Sequence, residues 1–241
     1  MSALARLLPW LGALNYDVAV RTYPVARALR EADPERRWRV LDVGSGAAGV
    51  AAFLPGRRVA GLDLTLEDGA RPHQPFVRAS ALALPFADRT WDAVTCIDVI
   101  EHVPLEQRAP LLAELVRVGR HLLVVAFPCG DEARAADEAL ARAFGEAGQA
   151  APAWVSEHLA QAVPTAEAVE AALRALGTAA AARRFNESLA LQRVHRRLAR
   201  TSPLAYRAFS LLCALGTPWL ARPRPAAGSY RCILSVPLGP R

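Results

Sequence analysis

A glycine-rich turn that follows a short apolar run is the best candidate in this sequence for holding a ligand. In the segment VLDVGSGAAG, residues 40–49, an apolar strand leads into Gly44 and Gly46. Glycines allow a tight turn and let the backbone approach a ligand with no Cβ in the way. A helix expected to start near Ala47 would add free N–H groups and the positive end of its dipole. The segment therefore predicts a site for a small ligand with an anionic group.

Asp63 is a second residue placed for binding. It ends the apolar run VAGLD, which is typical of the next buried strand. In a βαβ unit, an acid at the end of the second strand can accept hydrogen bonds from two neighbouring ribose hydroxyls. Asp63 therefore predicts that the ligand of the glycine turn carries a ribose.

Three polar side chains in the segment CIDVIEHVP are candidates for catalysis. Asp98, Glu101 and His102 have the spacing i, i+3, i+4, which puts them on one face if the segment is helical. They follow the fourth predicted strand, at the edge where open α/β sheets bind ligands. His102 could act as a general base, the three could hold a metal, or Glu101 and His102 could brace the loop by hydrogen bonds. The residues alone leave these three roles open.

The order of the motifs resembles that of the class I S-adenosylmethionine-dependent methyltransferases over residues 38–128. VLDVGSGAAG is similar to the first motif of that family, VAGLDL to the second, and ALALPFADRTWDAVTCIDVIEHVP to the third and fourth. The resemblance implies a Rossmann-like fold and S-adenosylmethionine as the cofactor. It further implies that the cofactor is bound by residues of these motifs, namely Asp42, Gly44, Ser45, Gly46, Asp63, Leu64, Ser80, Ala81 and Ile97. Ser80 and Ala81 stand where the family often has an acid near the adenine.

Two other classes of protein compete with this interpretation. A nicotinamide-dependent oxidoreductase is one, because Gly44, Gly46 and Gly49 also fit the pattern G-x-G-x-x-G. That class gives no reason for Asp42 before the turn or for DVIEHVP after the fourth strand. The other is a cofactor-binding fold without catalysis, acting as a regulator or an assembly partner.

The segment CIDVIEHVP also resembles the corresponding stretch of ubiquinone-biosynthesis O-methyltransferases, where carboxylates and a histidine hold a divalent metal. Here Asp98 replaces the first glutamate of that stretch, which shortens its reach. Three side chains with one shortened carboxylate and no evident fourth ligand make a poor metal cage. We therefore expect no metal at this segment.

A second Glu–His pair, Glu157 and His158, occurs in the segment WVSEHLAQAVP. In related methyltransferases this region lies over the acceptor pocket, although such a pair can equally be structural. Trp154 beside it could form an aromatic wall of that pocket or pack in the core.

The apolar segments predict an α/β fold with a Rossmann-like, seven-stranded, mostly parallel sheet and helices on both faces. Continuous apolar runs such as HLLVVAF are typical of buried parallel strands. A helix is predicted over 105–118, and another from an N-cap at Thr165 to Gly177. The resemblance implies that the last strand runs antiparallel between the fifth and sixth. The predicted strands cover residues 38–43, 59–64, 75–79, 91–96, 121–127, 178–186 and 229–238.

Composition indicates one domain in a reducing compartment. A chain of 241 residues can bury a full core, and its four cysteines are scattered without metal or disulfide spacing. We expect a cytoplasmic location, with or without attachment to a membrane surface. The expected organisation is an N-terminal helical extension, a cofactor-binding core, a helical insertion and the last strand, over residues 1–37, 38–186, 187–228 and 229–238 respectively.

The charge of the chain is unevenly distributed. Residues 1–182 carry a net charge of −4, whereas residues 183–241 carry +10, with Glu187 as their single acid. Within the insertion, SLALQRVHRRLAR and PLAYRAFSLLCALGTPWLAR combine apolar residues with arginines. Such helices suit an anionic membrane surface, or they pack on the sheet with solvated arginines. Nucleic acid is not expected as a partner, because the aromatic residues are few and the apolar content is high.

These observations predict an enzyme that transfers methyl groups from S-adenosylmethionine. The expected acceptor is a small molecule or a lipid-like compound, with oxygen as the preferred acceptor atom. A base or a divalent cation assists methyl transfer to oxygen, because the acceptor must lose a proton.

Overall fold

Seven strands form one sheet in the computed structural model of the protein, which describes residues 16–47, 49–66, 72, 74–220 and 222–239. Their order across the sheet is β3-β2-β1-β4-β5-β7-β6. The strands are β1 (Arg39–Val43), β2 (Arg58–Asp63), β3 (Phe76–Arg78), β4 (Trp91–Ile97), β5 (Gly119–Pro128), β6 (Ala182–Ser188) and β7 (Ser229–Pro237).

The predicted fold class is confirmed. Strands β1 to β5 are joined by parallel pairings, and β7 runs antiparallel to both β5 and β6. β7 therefore lies between the fifth and sixth strands, as the resemblance implied. Strand β6 continues to Ser188, two residues beyond its predicted end at Asn186.

Eight α-helices accompany the sheet in the described part of the chain. Two short 3₁₀ turns, Val50–Phe53 and Ile100–His102, follow β1 and β4. The helices are α1 (Tyr16–Ala32), α2 (Leu105–Val118), α3 (Gly130–Glu146), α4 (Ala153–Ala160), α5 (Ala166–Ala175), α6 (Leu189–Thr201), α7 (Pro203–Leu215) and α8 (Thr217–Leu220).

Two hydrophobic clusters cover the two faces of the sheet. Leu111 and Leu115 of α2 belong to the cluster that contains Leu123 of β5. Leu29 of α1 belongs to the opposite cluster, which contains Val124. Because successive residues of a strand point to opposite faces, the neighbours Leu123 and Val124 serve different clusters. The continuous apolar run of β5 is thus explained by burial on both sides.

The predicted helix near Ala47 is wrong. After β1 the chain forms the 3₁₀ turn Val50–Phe53 and then enters β2 at Arg58. Pro55 and Gly56, which has a φ of +76°, follow the turn and interrupt helical hydrogen bonding. A turn of this length has too small a dipole to attract an anion, so that argument for the glycine turn does not apply.

The insertion before β7 consists of α6, α7 and α8. Cys213 and Leu220 from it pack against Tyr16 and Val20 of α1, so the insertion and the N-terminal helix form a small core of their own. The predicted extension is helical from Tyr16, and its first 15 residues lie outside the described part of the chain.

Helix α2 offers two matched leucines for a test of the core. Leu111 is 0% exposed, whereas Leu105 is 63% exposed. We expect Leu111→Ala to lower the free energy of unfolding by about 2–5 kcal/mol, because the truncation leaves a cavity. Leu105→Ala should change it by less than about 0.5 kcal/mol. Urea unfolding followed by circular dichroism measures both values, and equal effects would contradict the described packing.

Candidate functional site

The glycine turn after β1 lies at the carboxyl edge of the sheet. The N–H groups of Gly44 and Ser45 donate to the carbonyl of Leu62 in β2, over 2.7 and 3.2 Å. Gly44 has a φ of +74°, and a Cβ there would lie 2.1 Å from a methyl carbon of Val99. Both its backbone conformation and its neighbour therefore require glycine at this position.

Gly46 and Asp63 connect the turn to the end of β2. The N–H of Gly46 donates to Oδ2 of Asp63 over 3.0 Å. A Cβ on Gly46 would point into space that no described residue fills. Oδ1 of Asp63 accepts a long hydrogen bond of 3.4 Å from the N–H of Thr65, which a ligand hydroxyl can replace.

Two cavities of about 460 and 540 Å³ adjoin this turn and share Gly44, Asp63, Thr65 and Asp98 in their walls. We call the two together the cofactor crevice. All nine residues predicted to bind the cofactor line it, which brings the separate sequence motifs together in space. The first cavity includes Asp42, Ser45, Gly46 and Ile97, and the second includes Leu64, Ser80 and Ala81.

Asp42 differs from the other crevice residues because both of its oxygens bond within the protein. Oδ1 accepts from the hydroxyl of Thr95 over 2.6 Å, and Oδ2 from the N–H of Val50 over 2.7 Å. Burial raises the pKa of Asp42 to about 6, although these two hydrogen bonds lower it. Asp42 thus ties β1 to β4 and to the first 3₁₀ turn, and it shapes the crevice from the inside.

Asp98, Glu101 and His102 do not share a helix face, which corrects the predicted arrangement. The chain here forms the short 3₁₀ turn Ile100–His102, and Asp98 before it has a φ of +53°. A tighter turn entered from a left-handed residue spreads side chains that an α-helix would align. The three side chains consequently have different partners.

Asp98 is held by two arginines from distant parts of the chain. It forms ion pairs with Arg231 of β7 and, at 3.4 Å, with Arg21 of α1. Arg231 is 2% exposed and pairs at 3.1 Å with Glu187, which is 1% exposed at the end of β6. Burial lowers the pKa of Arg231 to about 9, so the guanidinium is protonated at neutral pH. Asp98 is therefore committed to cationic partners of the protein itself.

Glu101 points into the protein interior. It is 3% exposed, and neither of its carboxyl oxygens has a hydrogen-bond partner among the described residues. Burial raises the pKa of Glu101 to about 8. A buried carboxyl group without hydrogen bonds is destabilising, and such groups concentrate at functional sites.

The second Glu–His pair of the sequence meets His102 beside Glu101. Nδ1 of His102 lies 2.8 Å from Oε2 of Glu157, and Nδ1 of His158 lies 2.9 Å from Oδ2 of Asp137. The Nε2 atoms of the two histidines lie 3.3 Å from each other. Burial lowers the pKa of His102, and the neighbouring His158 adds to this effect.

Asp137 of α3 accepts hydrogen bonds from two further side chains. It accepts from Arg196 over 2.9 Å and from the hydroxyl of Tyr230 over 3.0 Å. The sequence gives no indication that Asp137, Tyr230, Arg21 and Arg231 belong to the site. No motif surrounds these four residues, and they come from α3, β7 and α1, so the tertiary structure alone brings them together.

A third cavity of about 430 Å³ lies next to the cofactor crevice, and we call it the histidine cavity. Its walls include Asp98, Glu101, His102, Trp154 and His158. Asp98 lines this cavity and both parts of the cofactor crevice. Trp154 is 37% exposed, and its ring centroid lies 5.2 Å from that of His158, so it is a wall of the cavity rather than a core residue.

Comparison with known proteins supports the family resemblance of the motifs. Residues 41–122 match a family model described as a methyltransferase domain. This match covers about a third of the chain and supports the resemblance of its motifs to the class I S-adenosylmethionine-dependent methyltransferases. S-adenosylmethionine is the cofactor of this family.

Individual relatives match parts of the chain. An uncharacterized methyltransferase of Mycobacterium sp. (strain JLS) is 36% identical over 45% of this chain and 45% of that protein. The demethylmenaquinone methyltransferase of Renibacterium salmoninarum is 31% identical over 48% of this chain and 58% of that protein. The chain thus spans about half the length of these relatives.

A solved structure supports the fold over most of the chain. Magnesium protoporphyrin IX methyltransferase of Synechocystis PCC 6803, with bound S-adenosylhomocysteine, has a TM-score of 0.52 at 16% identity. The match covers 88% of this chain and 79% of that one. At this identity the likeness concerns the fold.

Asp42→Asn tests the effect of burial at the crevice. The pKa of about 6 in the folded protein exceeds the value of about 3.9 in an unfolded chain, so between these values the folded state binds more protons. The free energy of unfolding should therefore fall as the pH rises from about 4 to about 6, by on the order of 2–3 kcal/mol from this group. Asparagine does not titrate, so the variant should lack this component.

Urea unfolding of both proteins between pH 4 and pH 7 measures the difference. Asp88→Asn is the control, because the Asp88 side chain is 73% exposed. Identical pH profiles for the wild type and Asp42→Asn would show that burial does not perturb this carboxyl group.

Proposed function

We propose that the protein transfers a methyl group from S-adenosylmethionine to an acceptor bound in the histidine cavity. The observation that carries this proposal is the shared wall: Asp98 lines both the cofactor crevice and the histidine cavity. Arg21 and His102 also line both spaces. Two binding spaces that share a wall suit a direct transfer between two ligands, because the reacting groups are held close together.

The walls of the crevice fit the chemistry of S-adenosylmethionine. Asp63 offers a carboxylate oxygen to the ribose hydroxyls, and Ser80 offers a hydroxyl on the side where the adenine is expected. Gly46 has a positive φ, and no described residue fills the space into which a Cβ at this position would point. When bound, S-adenosylmethionine supplies a methyl group already activated on a positively charged sulfur.

The residues of the chain would position the acceptor, exclude water and take up a proton from a hydroxyl acceptor. Trp154 provides an aromatic surface on one side of the histidine cavity. Asp98 is occupied by arginines, so Glu101 and His102 are the members of the predicted trio left to assist proton removal. Methyl transfer to a hydroxyl oxygen needs a group that assists deprotonation. The presence of Glu101 and His102 therefore favours oxygen as the acceptor atom.

Asp63→Ala tests the cofactor assignment. The change should weaken S-adenosylmethionine binding by about 1.5–3 kcal/mol, which is the range for a hydrogen bond that involves a charged group. Isothermal titration calorimetry of the wild type, Asp63→Ala and the surface control Asp88→Ala measures the affinities. Binding of NADH without binding of S-adenosylmethionine would instead support a nicotinamide-dependent oxidoreductase.

Transfer of label separates catalysis from binding alone. The protein is incubated with methyl-labelled S-adenosylmethionine and with aqueous or organic-solvent extracts of cells. Wild type and Asp88→Ala should label an acceptor, and Asp63→Ala should label it more slowly at limiting cofactor. Cofactor binding without label transfer to either extract would support a non-catalytic regulator or assembly protein.

An apolar groove supports a lipid-like acceptor. This groove of about 440 Å³ lies between α3 and α6, and its walls include Ala136, Ala139 and Leu140. Gln192 and Arg196 line both the groove and the histidine cavity. An acceptor with a polar head in the histidine cavity and an apolar tail in the groove would use both spaces.

The insertion also carries a surface suited to an anionic membrane. Leu204, Leu211 and Leu212 of α7 are 79%, 49% and 70% exposed, and their spacing of seven and eight residues places them on one helix face. Trp219 of α8 is 60% exposed. Within the described residues, no helix is long and apolar enough to cross a bilayer. Arginines that can contact anionic headgroups are exposed on α6: Arg193, Arg197 and Arg200.

Vesicle co-sedimentation tests this surface. Binding should rise with the fraction of anionic lipid and fall as salt is added, because exposed charges are screened. Changing Arg193, Arg197 and Arg200 to Gln should reduce binding. Arg196 is left unchanged, since its side chain is 15% exposed and pairs with Asp137.

The matched control changes three exposed arginines elsewhere on the chain, Arg36, Arg120 and Arg174, to Gln. Both triple variants lose the same charge, so the difference between them reports the location of the arginines. Equal recovery of wild type in the supernatant with neutral and anionic vesicles at low salt would exclude a role for this surface in membrane binding.

A further inference from the structure

The buried carboxyl group of Glu101 lacks a hydrogen-bond partner at the wall of a cavity. Its two oxygens are shielded from solvent and make no hydrogen bond with a described residue. The nearest basic nitrogen given by the structure is Nε2 of His158, 3.9 Å from Oε1. This distance is too long for a hydrogen bond, although it is short enough for both atoms to bind one ion.

The protonation of the two histidines follows from their partners. A carboxylate that accepts from a guanidinium is ionised, and Asp137 accepts from Arg196 over 2.9 Å. An ionised carboxylate can only accept, so Nδ1 of His158 donates its hydrogen to Asp137 and Nδ1 of His102 donates its hydrogen to Glu157. In the neutral imidazoles, both Nε2 atoms are then left with a lone pair and no hydrogen.

These two lone pairs face each other at a distance that suits a metal. The Nε2 atoms are 3.3 Å apart, and without an added proton or metal ion neither can donate to the other. Two Zn–N bonds of about 2.0–2.1 Å at a tetrahedral angle also place their nitrogens about 3.3 Å apart. One ligand atom from each of Glu101, His102 and His158 can be chosen so that all three lie within 4.8 Å of one another.

We propose that Glu101, His102 and His158 bind a divalent transition-metal ion such as Zn²⁺. Two imidazoles and one carboxylate are a ligand set used by catalytic zinc and by non-haem iron. Mg²⁺ and Ca²⁺ prefer oxygen ligands and are poorly served by two nitrogens. Asp137 and Glu157 complete the site, because a carboxylate on the far nitrogen fixes the orientation of a metal-binding histidine and increases its basicity.

This ligand set revises the expectation from the sequence. From the sequence we expected no metal at this segment, because Asp98 stands in place of the first glutamate of the resembling stretch; in the structure Asp98 pairs with Arg21 and Arg231. The third ligand is His158 of α4, more than fifty residues away in the chain. The site thus differs in composition from the one that the segment CIDVIEHVP alone would build.

The remaining coordination positions of the ion would face the histidine cavity, since all three ligands line it. An oxygen donor of the acceptor, such as a hydroxyl group, is the ligand class that fits those positions. A bound divalent cation lowers the pKa of a coordinated hydroxyl, which suits methyl transfer to oxygen. This use of the site rests on the proposed function, whereas the metal site itself does not.

Co²⁺ is the probe for the test, because its visible absorption reports nitrogen and oxygen ligands directly. The untagged protein, freed of metal by a chelator, is titrated with Co²⁺ and then with Zn²⁺. We expect a saturable absorption at one Co²⁺ per chain, which Zn²⁺ abolishes. His158→Ala and His102→Ala should each weaken binding about 100-fold or more, and Glu157→Gln by about 10–100-fold.

His121→Ala is the matched control, because His121 stacks on Trp38 away from the site. His102 is partly exposed, so its variant remains informative if His158→Ala does not fold. The proposal is overturned if no saturable absorption appears, or if His102→Ala binds Co²⁺ as the wild type does. Metal binding in a protein that fails to bind S-adenosylmethionine would contradict the proposed function and leave the metal site standing.

Discussion

The buried guanidinium of Arg231 is the interaction on which the site depends. It pairs with Asp98 at the end of β4 and with Glu187 at the end of β6. Both acids have left-handed backbone conformations, with φ of +53° and +64°, which cost energy unless the surroundings hold them. Removing one partner of a buried ion pair typically costs about 3–5 kcal/mol, because the other charge is left without compensation. The arginine thereby fixes the wall between the cofactor crevice and the histidine cavity.

The two cavities differ in how they are built. The cofactor crevice is formed mainly by short segments at the carboxyl ends of neighbouring parallel strands, such as the glycine turn after β1 and Asp63 at the end of β2, with α1 contributing one side. The histidine cavity is formed largely by side chains from α1, α4, α6, α7 and β7. Parallel strands bring their ends to one edge by necessity, so the crevice has compact sequence motifs. The residues of the histidine cavity are not brought together by any such feature of neighbouring strands, so they form no compact sequence motif.

Particular elements show how far the pattern of residues predicts the fold. Helix α2 has the predicted bounds, and Thr165 caps α5 by accepting from the N–H of Ala168. These features depend on residues close in the chain. The helix expected near Ala47 is absent because Pro55 and Gly56 end the short 3₁₀ turn Val50–Phe53 before β2 begins at Arg58. The common face expected for Asp98, Glu101 and His102 failed because the competing partners of Asp98 lie on distant elements.

The sequence by itself determined the class of fold, the order of the strands along the chain and nine of the residues that line the cofactor crevice. These follow from apolar periodicity, turn residues and motif order, which are local properties. Only the tertiary structure decided which groups meet Glu101. Whether a histidine faces a carboxylate, an arginine or a second histidine depends on how α3 and α4 pack over the sheet. That packing is set by the sum of many distant contacts, and no short segment of sequence records it.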